Sequence, residues 1–259
     1  MAQTQFLLAL TEPEAFRRHF QRAVAEGQFS FAMQPIVAFN AHALSHHEVF
    51  VRFGSCSPAL LIERAESLGV IADLDLAVVA AIVSHLAATP DSSTGYSVNL
   101  SALSVVDHGI MKKILHCVAA QKFERSRLIF EVTESAEIAD LPAANSALQE
   151  LRAIGCRVCL DDFGAGFASF TYLQALEVDF IKIDGRYVKT ADASPRDARL
   201  LRAITNMCAD LGVGAIAEMI ETKEQAAIVL SYGACAGQGY YFGRPQPSPD
   251  LTLQLGKAA

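Results

Sequence analysis

Eight short apolar segments recur along the chain, and between most of them lies an amphipathic stretch of helical length. The segments are Phe29–Val37, Leu44–Phe53, Tyr96–Ser101, Leu128–Ser135, Arg157–Phe163, Phe180–Gly185, Gly214–Ile220 and Gln238–Phe242. The helical stretches include Asp75–Ala88, Leu103–Gln121, Ala143–Ile154, Pro195–Leu211 and Thr222–Tyr232. Strands that alternate with helices build a parallel sheet covered by those helices, and eight such units close into a barrel. The first two segments depart from this rule. Only the polar turn from Ala38 to Ala43 separates them. A parallel crossover needs a dozen or more residues, so these two strands are predicted to pair antiparallel.

A helix is predicted ahead of the barrel, from the capping-box pattern Thr11-Glu12-Pro13-Glu14 to about Glu26-Gly27. Thr222-x-x-Gln225 opens the last helix with the same pattern. The expected architecture is an α/β fold, a TIM-like (β/α)8 barrel with an antiparallel first strand. It forms one domain over residues 1–259, with the helix at about 12–27 and the barrel at about 29–247. At 52% hydrophobic content the chain can bury one large core.

Composition excludes several classes of function. No apolar run reaches the roughly 18–20 residues of a membrane helix. The N-terminus lacks the basic flank of a signal peptide, so no membrane insertion is expected. A formal charge of -7 disfavours DNA, which needs a basic surface. An anionic ligand would have to be held by metal or by a local positive group. The six cysteines lie scattered in apolar segments and read as small buried hydrophobes. Cys156-x-x-Cys159 has no second knuckle, so zinc is unsupported. This usage fits a reducing, cytoplasmic setting.

The chemistry starts from residues 157–166, where Val158, Cys159 and Leu160 lead into Asp161 and Asp162 and then a glycine-rich loop. Two adjacent acids repel, and desolvating one costs several kcal/mol unless a positive charge compensates it. Other polar residues fall in or at the ends of the remaining strands: Glu48, Asn99, Glu131, Lys182, Glu218 and Gln238. In a barrel of this kind chemistry sits where the strands end. Five carboxylates and one ammonium leave a formal charge of -4, which two divalent cations would neutralise. All-oxygen ligands with one amide favour magnesium or manganese over zinc or copper. Two such ions suit in-line displacement at phosphorus.

These residues carry a resemblance. The chain resembles the EAL-domain cyclic di-GMP phosphodiesterases over nearly its full length. The motifs are Gln34-Pro35-Ile36-Val37, Glu48-Val-Phe-Val-Arg52, Val98-Asn99-Leu-Ser101 and Glu131-Val-Thr-Glu134. They continue with Asp161-Asp162-Phe-Gly-Ala-Gly166, Lys182-Ile-Asp184, Ala217-Glu218-Met-Ile-Glu221 and Gln238-Gly-Tyr240.

The resemblance implies a barrel with an antiparallel first strand and metal-dependent hydrolysis of cyclic di-GMP to linear pGpG. It implies that Glu48, Asn99, Glu131 and Asp161 hold one metal. Asp161, Asp162 and Glu218 would hold the other, with Asp161 bridging. Lys182 would position or polarise the attacking water and Gln238 would complete its hydrogen bonding. Arg52 would pair with a substrate phosphate, as its planar fork of donors allows, and Gln34 would meet the nucleoside. Glu134 would brace the loop from Phe163 to Ser169, which the family uses in dimerisation and activation. A homodimer and a regulatory protein partner are thus implied as well.

Three departures from the family pattern stand out. The signature triplet reads Glu-Val-Phe, so Phe50 replaces a leucine. The segment from Phe53 to Pro58 is short, and Met219-Ile220 replaces Gly-Val beside Glu218. The first two keep open an alternative, a catalytically silent cyclic di-GMP receptor acting through a partner, although such members lose metal ligands that this chain retains. His46, two residues before Glu48, lies on the same strand face. It is expected to pack within the barrel, with tuning of Glu48 or metal contact as the alternative. Tyr240-Tyr241-Phe242 is read as core packing rather than a base-stacking platform.

Overall fold

The structure, a computed structural model, describes residues 12–40, 43–133, 138–166, 169–191, 194–248 and 251. Helix α1 (Pro13–Ala25) precedes the hairpin β1 (Ser30–Ala38) and β2 (Ala43–Arg52). Then follow α2 (Pro58–Ser67), α3 (Ala72–Ala88), β3 (Gly95–Leu100), α4 (Ala102–Val106), α5 (His108–Ala120), β4 (Leu128–Thr133), α6 (Leu141–Ala153) and β5 (Arg157–Phe163). The chain continues through α7 (Ser169–Ala175), β6 (Phe180–Ile183), α8 (Gly185–Ala191), α9 (Pro195–Asp210), β7 (Gly214–Ala217), α10 (Lys223–Ser231), β8 (Ala236–Gln238) and β9 (Gln246–Pro247).

Strands β2 to β8 pair in sequence order, and β1 closes the barrel by pairing with both β8 and β2. Neighbours from β2 to β8 are parallel, whereas β1 is antiparallel to each of its partners. The expected α/β barrel with an antiparallel first strand is therefore what the chain forms. The two-residue strand β9 adds to β1 at Ala32 and Met33, which the sequence pattern did not indicate.

Packing explains the helices. The buried residues of α1 are Phe16, Phe20, Ala23 and Val24, a single stripe at helical spacing. Its rings join an aromatic cluster in which Phe20 and Phe29 each lie 5.9 Å from Phe53. Pro13 occupies the first turn of α1 with Glu12 as N-cap, while Thr11 lies outside the described residues. The expected capping box of α10 forms in both directions between Thr222 and Gln225. Other boundaries differ from expectation. The stretch predicted as one helix over 103–121 is two, because Asp107 Oδ1 accepts from the Gly109 and Ile110 amides and starts α5 afresh. Helices α2, α7 and α8 were not predicted. Among the described residues no helix is long and apolar enough to cross a membrane.

Asp75 of α3 is buried, and its Oδ2 accepts from the Ser101 amide at 2.9 Å. Ser101 Oγ in turn donates to Glu66 at 2.9 Å, so α2 and α3 together fix the end of β3. Burial pushes the Asp75 pKa up to about 6, with the Ser101 amide opposing. The folded protein therefore keeps a proton that the unfolded chain releases near its ordinary value of 3.8. Stability falls as pH rises through this window, by at most about 3 kcal/mol, and stays lower above it. Asp75→Asn keeps an acceptor for the Ser101 amide and is expected to gain about 2 kcal/mol at neutral pH. Urea denaturation checks this, and an unchanged or lower midpoint at neutral pH would refute it.

Candidate active site

Strand β5 does something a regular strand cannot. On a regular strand successive side chains point to opposite faces, so Asp161 and Asp162 would diverge. Here Leu160 pairs with Ile181 and Phe163 with Ile183, so three steps on β5 face two on β6. This is a β-bulge, and the two acids occupy it. Asp162 takes a left-handed backbone at φ +58, a conformation that aspartate tolerates better than most residues. The result is that oxygens of Asp161, Asp162 and Glu218 all lie within 4.8 Å of one another. The Asp161 Oδ1 accepts from the Asp162 amide at 2.9 Å, and Thr133 Oγ1 lies 3.3 Å from Asp162 Oδ2.

A second group forms across the barrel interior, where oxygens of Glu48, Glu131 and Asp161 also lie within 4.8 Å of one another. Asp161 belongs to both groups. Glu48 on β2 and Glu131 on β4 are buried, as is Asp161. The register places Asn99 opposite Glu131 and Thr133 opposite Asp161. Asn99 Nδ2 donates to Glu48 Oε1 at 3.1 Å, which brings the one amide of the expected ligand set against this second group.

Lys182 of β6 stands at the centre, only 1% exposed. Its Nζ lies 3.0 Å from Glu48, 3.2 Å from Glu131, 2.9 Å from Asp161 and 2.9 Å from Glu218. Burial alone would lower its pKa, but these four carboxylates outweigh burial and hold the ammonium well above its usual range. One ammonium cannot satisfy four acids. Burial drives Glu131 well above the ordinary carboxylate range and raises Asp161, with Lys182 opposing in each case. Burial likewise pushes Glu218 up to about 8. Glu48 is the exception: burial would raise its pKa, but Lys182, Gln238 and Asn99 together bring it below.

The cluster thus brings more carboxylates together than its own lysine can balance, on convergent oxygen donors. Such a set is able to coordinate a divalent cation.

Gln238 and Gln34 complete the wall. Gln238 Nε2 donates to Glu48 Oε2 at 2.7 Å and to Gln34 Oε1 at 3.1 Å, while Gln34 Nε2 donates to the Gly243 carbonyl at 3.0 Å. Both glutamines line a cleft of about 350 Å³ together with Glu48, Asp161, Asp162, Glu218 and Lys182. A larger cavity of about 650 Å³ runs on between β2, α2 and α3 and shares Glu48, Phe50, Asp161 and Asp162 with the first. Phe50 borders both spaces. Arg52 lines the larger one, its guanidinium 5.3 Å from the Phe50 ring centre and donating to the Val51 carbonyl at 3.0 Å. The short segment after Arg52 is a tight turn with Gly54 at φ +56, and α2 follows directly at Pro58. Glu134 lies outside the described residues, as do residues 167 and 168 of the loop it is expected to brace.

Two sequence readings are resolved by position. His46 is buried with Nδ1 3.1 Å from Ser45 Oγ, and burial, reinforced by Lys182, pushes its pKa down to about 3. It is a neutral packing residue and belongs to neither ligand group. The aromatic triplet does not read as core packing throughout: Tyr240 is 53% exposed, lines the smaller cleft and carries the Arg244 guanidinium 4.1 Å over its ring. The reason is that β8 ends at Gln238 and the chain turns at once, so the residues that follow are not strand. Thr133 was not among the expected site residues, and only its position at the end of β4 points to it. Met219, a departure from the family pattern beside Glu218, lines the smaller cleft.

Comparison with known proteins agrees with this arrangement. The EAL domain family matches residues 17–245. The chain is 28% identical over 253 residues to the cyclic di-GMP phosphodiesterase PdeF of Escherichia coli, covering 95% of this chain and 34% of that protein. It is 30% identical over 234 residues to the probable cyclic di-GMP phosphodiesterase PdeA of the same organism, covering 88% of this chain and 32% of that one. The chain therefore spans about a third of the length of these curated relatives. Among solved structures, the PaMucR phosphodiesterase in complex with c-di-GMP superimposes with a TM-score of 0.79 at 29% identity, covering 87% of this chain and all of that one.

Proposed function

Because the chain belongs to the EAL domain family, we propose that it hydrolyses cyclic di-GMP to linear pGpG with the help of two divalent cations, Mg²⁺ or Mn²⁺. The observation that carries this reading is the pair of oxygen-ligand groups joined at Asp161. Glu48, Asn99, Glu131 and Asp161 would hold one cation, and Asp161, Asp162 and Glu218 the other. Bound there, such a pair would stabilise negative charge on the attacking and leaving oxygens of an in-line displacement.

The protein's own groups do the rest. Lys182 has three N–H donors and four carboxylate neighbours. Lys182 would orient the attacking water and offset phosphate charge. Gln238, fixed between Glu48 and Gln34, completes the hydrogen bonding around that water. Arg52 pairs with a phosphate in the larger cavity, and Gln34 meets the nucleoside. Self-association and a regulatory partner belong to the same reading, with Glu134 bracing the loop after β5. Phe170 on α7 leaves an exposed aromatic side chain next to that loop.

Turnover with the metal varied tests the proposal. Purified protein with Mn²⁺ or Mg²⁺ is expected to convert cyclic di-GMP to pGpG, and a chelator to stop it. Calcium alone is expected to support no turnover, because its larger and looser coordination fits a two-cation hydrolytic site poorly. Binding of cyclic di-GMP without pGpG over hours would replace this function with that of a silent receptor.

A further inference from the structure

Met219 is held in an unusual way. Its backbone is left-handed at φ +54, and among the described non-glycine residues only Asp162 shares a positive φ. A residue with a Cβ is disfavoured there, and an aliphatic one has no local hydrogen bond to compensate. The side chain lies across Gly185, where an added Cβ would collide with the Cβ, Cγ and Sδ of Met219. One flank of the thioether is thus pressed onto the start of α8, while 47% of the residue remains exposed. That open side borders the smaller cleft, where Phe50, Tyr240 and Pro245 are its apolar companions. Glu48, Asp161, Asp162, Glu218 and Lys182 line the same cleft.

We propose that Met219 is a specificity-determining contact for a purine nucleobase. A phosphodiester held at these carboxylates would bring its base within reach of Met219 and its apolar companions. There the polarisable sulfur would make a favourable contact with an aromatic ring. The proposal rests on the phosphodiesterase reading and adds a residue outside its metal and proton machinery. Gly185 serves the contact by leaving room for the thioether to lie flat.

Met219→Gly suits the left-handed backbone, so the fold is retained. It is expected to raise the KM for cyclic di-GMP about five- to tenfold, with kcat and the Mn²⁺ requirement unchanged. Gly185→Ala, which must push the thioether aside, is expected to raise KM in the same direction. In the double variant it should add nothing to Met219→Gly, since the two changes remove one contact. An unchanged or lower KM in Met219→Gly overturns the inference. Calorimetric binding of cyclic di-GMP separates it from the reading beneath it. A chain that binds without turnover, and binds more weakly as Met219→Gly, loses the hydrolytic function but keeps the contact. A chain that neither binds nor hydrolyses the cyclic dinucleotide overturns both.

Discussion

Asp161→Asn is expected to lower the turnover of cyclic di-GMP at least about a thousandfold while leaving the fold and its melting temperature nearly unchanged. The rate effect follows from geometry, because Asp161 is the one side chain common to both ligand groups. Its loss weakens both at once. The lack of a stability effect follows from electrostatics. Burial raises the Asp161 pKa despite Lys182, so the charged form is already disfavoured in the fold and a neutral amide of the same shape costs little. Glu131→Gln provides the contrast, since Glu131 belongs to one group only. Manganese titration by calorimetry should find two ions per chain in the parent, one in Glu131→Gln and none in Asp161→Asn. Near-parental turnover of Asp161→Asn would show that the shared carboxylate is not the hinge of the site.

Lys182→Ala is expected to have the largest effect on stability. In the absence of metal this ammonium is the common partner of Glu48, Glu131, Asp161 and Glu218. Removing one side of a buried ion pair costs about 3–5 kcal/mol, because the other side is left uncompensated. The acids can escape part of this by binding protons, and Glu218 is raised to about 8 even with the lysine present. The folded variant therefore holds more protons than its unfolded chain, and its stability should fall as pH rises from about 6 to about 8. Urea denaturation in chelator measures the loss. Added Mn²⁺ should restore most of the stability but not the rate, which is expected to stay about a hundredfold or more below the parent. A variant as stable as the parent in chelator would mean that the carboxylates do not depend on the lysine.

Much of this was legible in the sequence. A charged residue in an apolar strand is conspicuous, so Glu48, Glu131, Asp161, Asp162 and Lys182 could be read as converging on one end of a barrel before any coordinates were known. The antiparallel hairpin was legible too, because a six-residue turn leaves no room for a crossover. What escaped depends on partners far away in the chain. The bulge at Asp161–Asp162 exists only relative to the register of β6, and no local pattern announces it. The end of β8 is set by the close approach of Gly239 to the Ile220 backbone, where a Cβ has no space. Helices α7 and α8 are seven residues each, too short to show a clear period. The four-way sharing of Lys182 arises from the closure of the barrel.

That closure has a kinetic consequence. The seam between β1 and β8 joins the two ends of the chain through three register pairs, Ile36–Gln238, Val37–Gly237 and Ala38–Ala236. The hydrogen bonds from Gln238 to Gln34 and Glu48 span 204 and 190 residues of sequence. Contacts of such separation are slow to form, because the chain must order most of its length before they repay the loss of freedom. Strands β2 to β7 can assemble by neighbour-to-neighbour additions, but Gln238 reaches Glu48 only when the last seam zips. A nascent or half-folded chain can therefore gather most of the acidic ligands and still lack the glutamine that fixes Glu48. Activity should appear with the final, slowest phase of refolding and not in proportion to the helix and strand already formed.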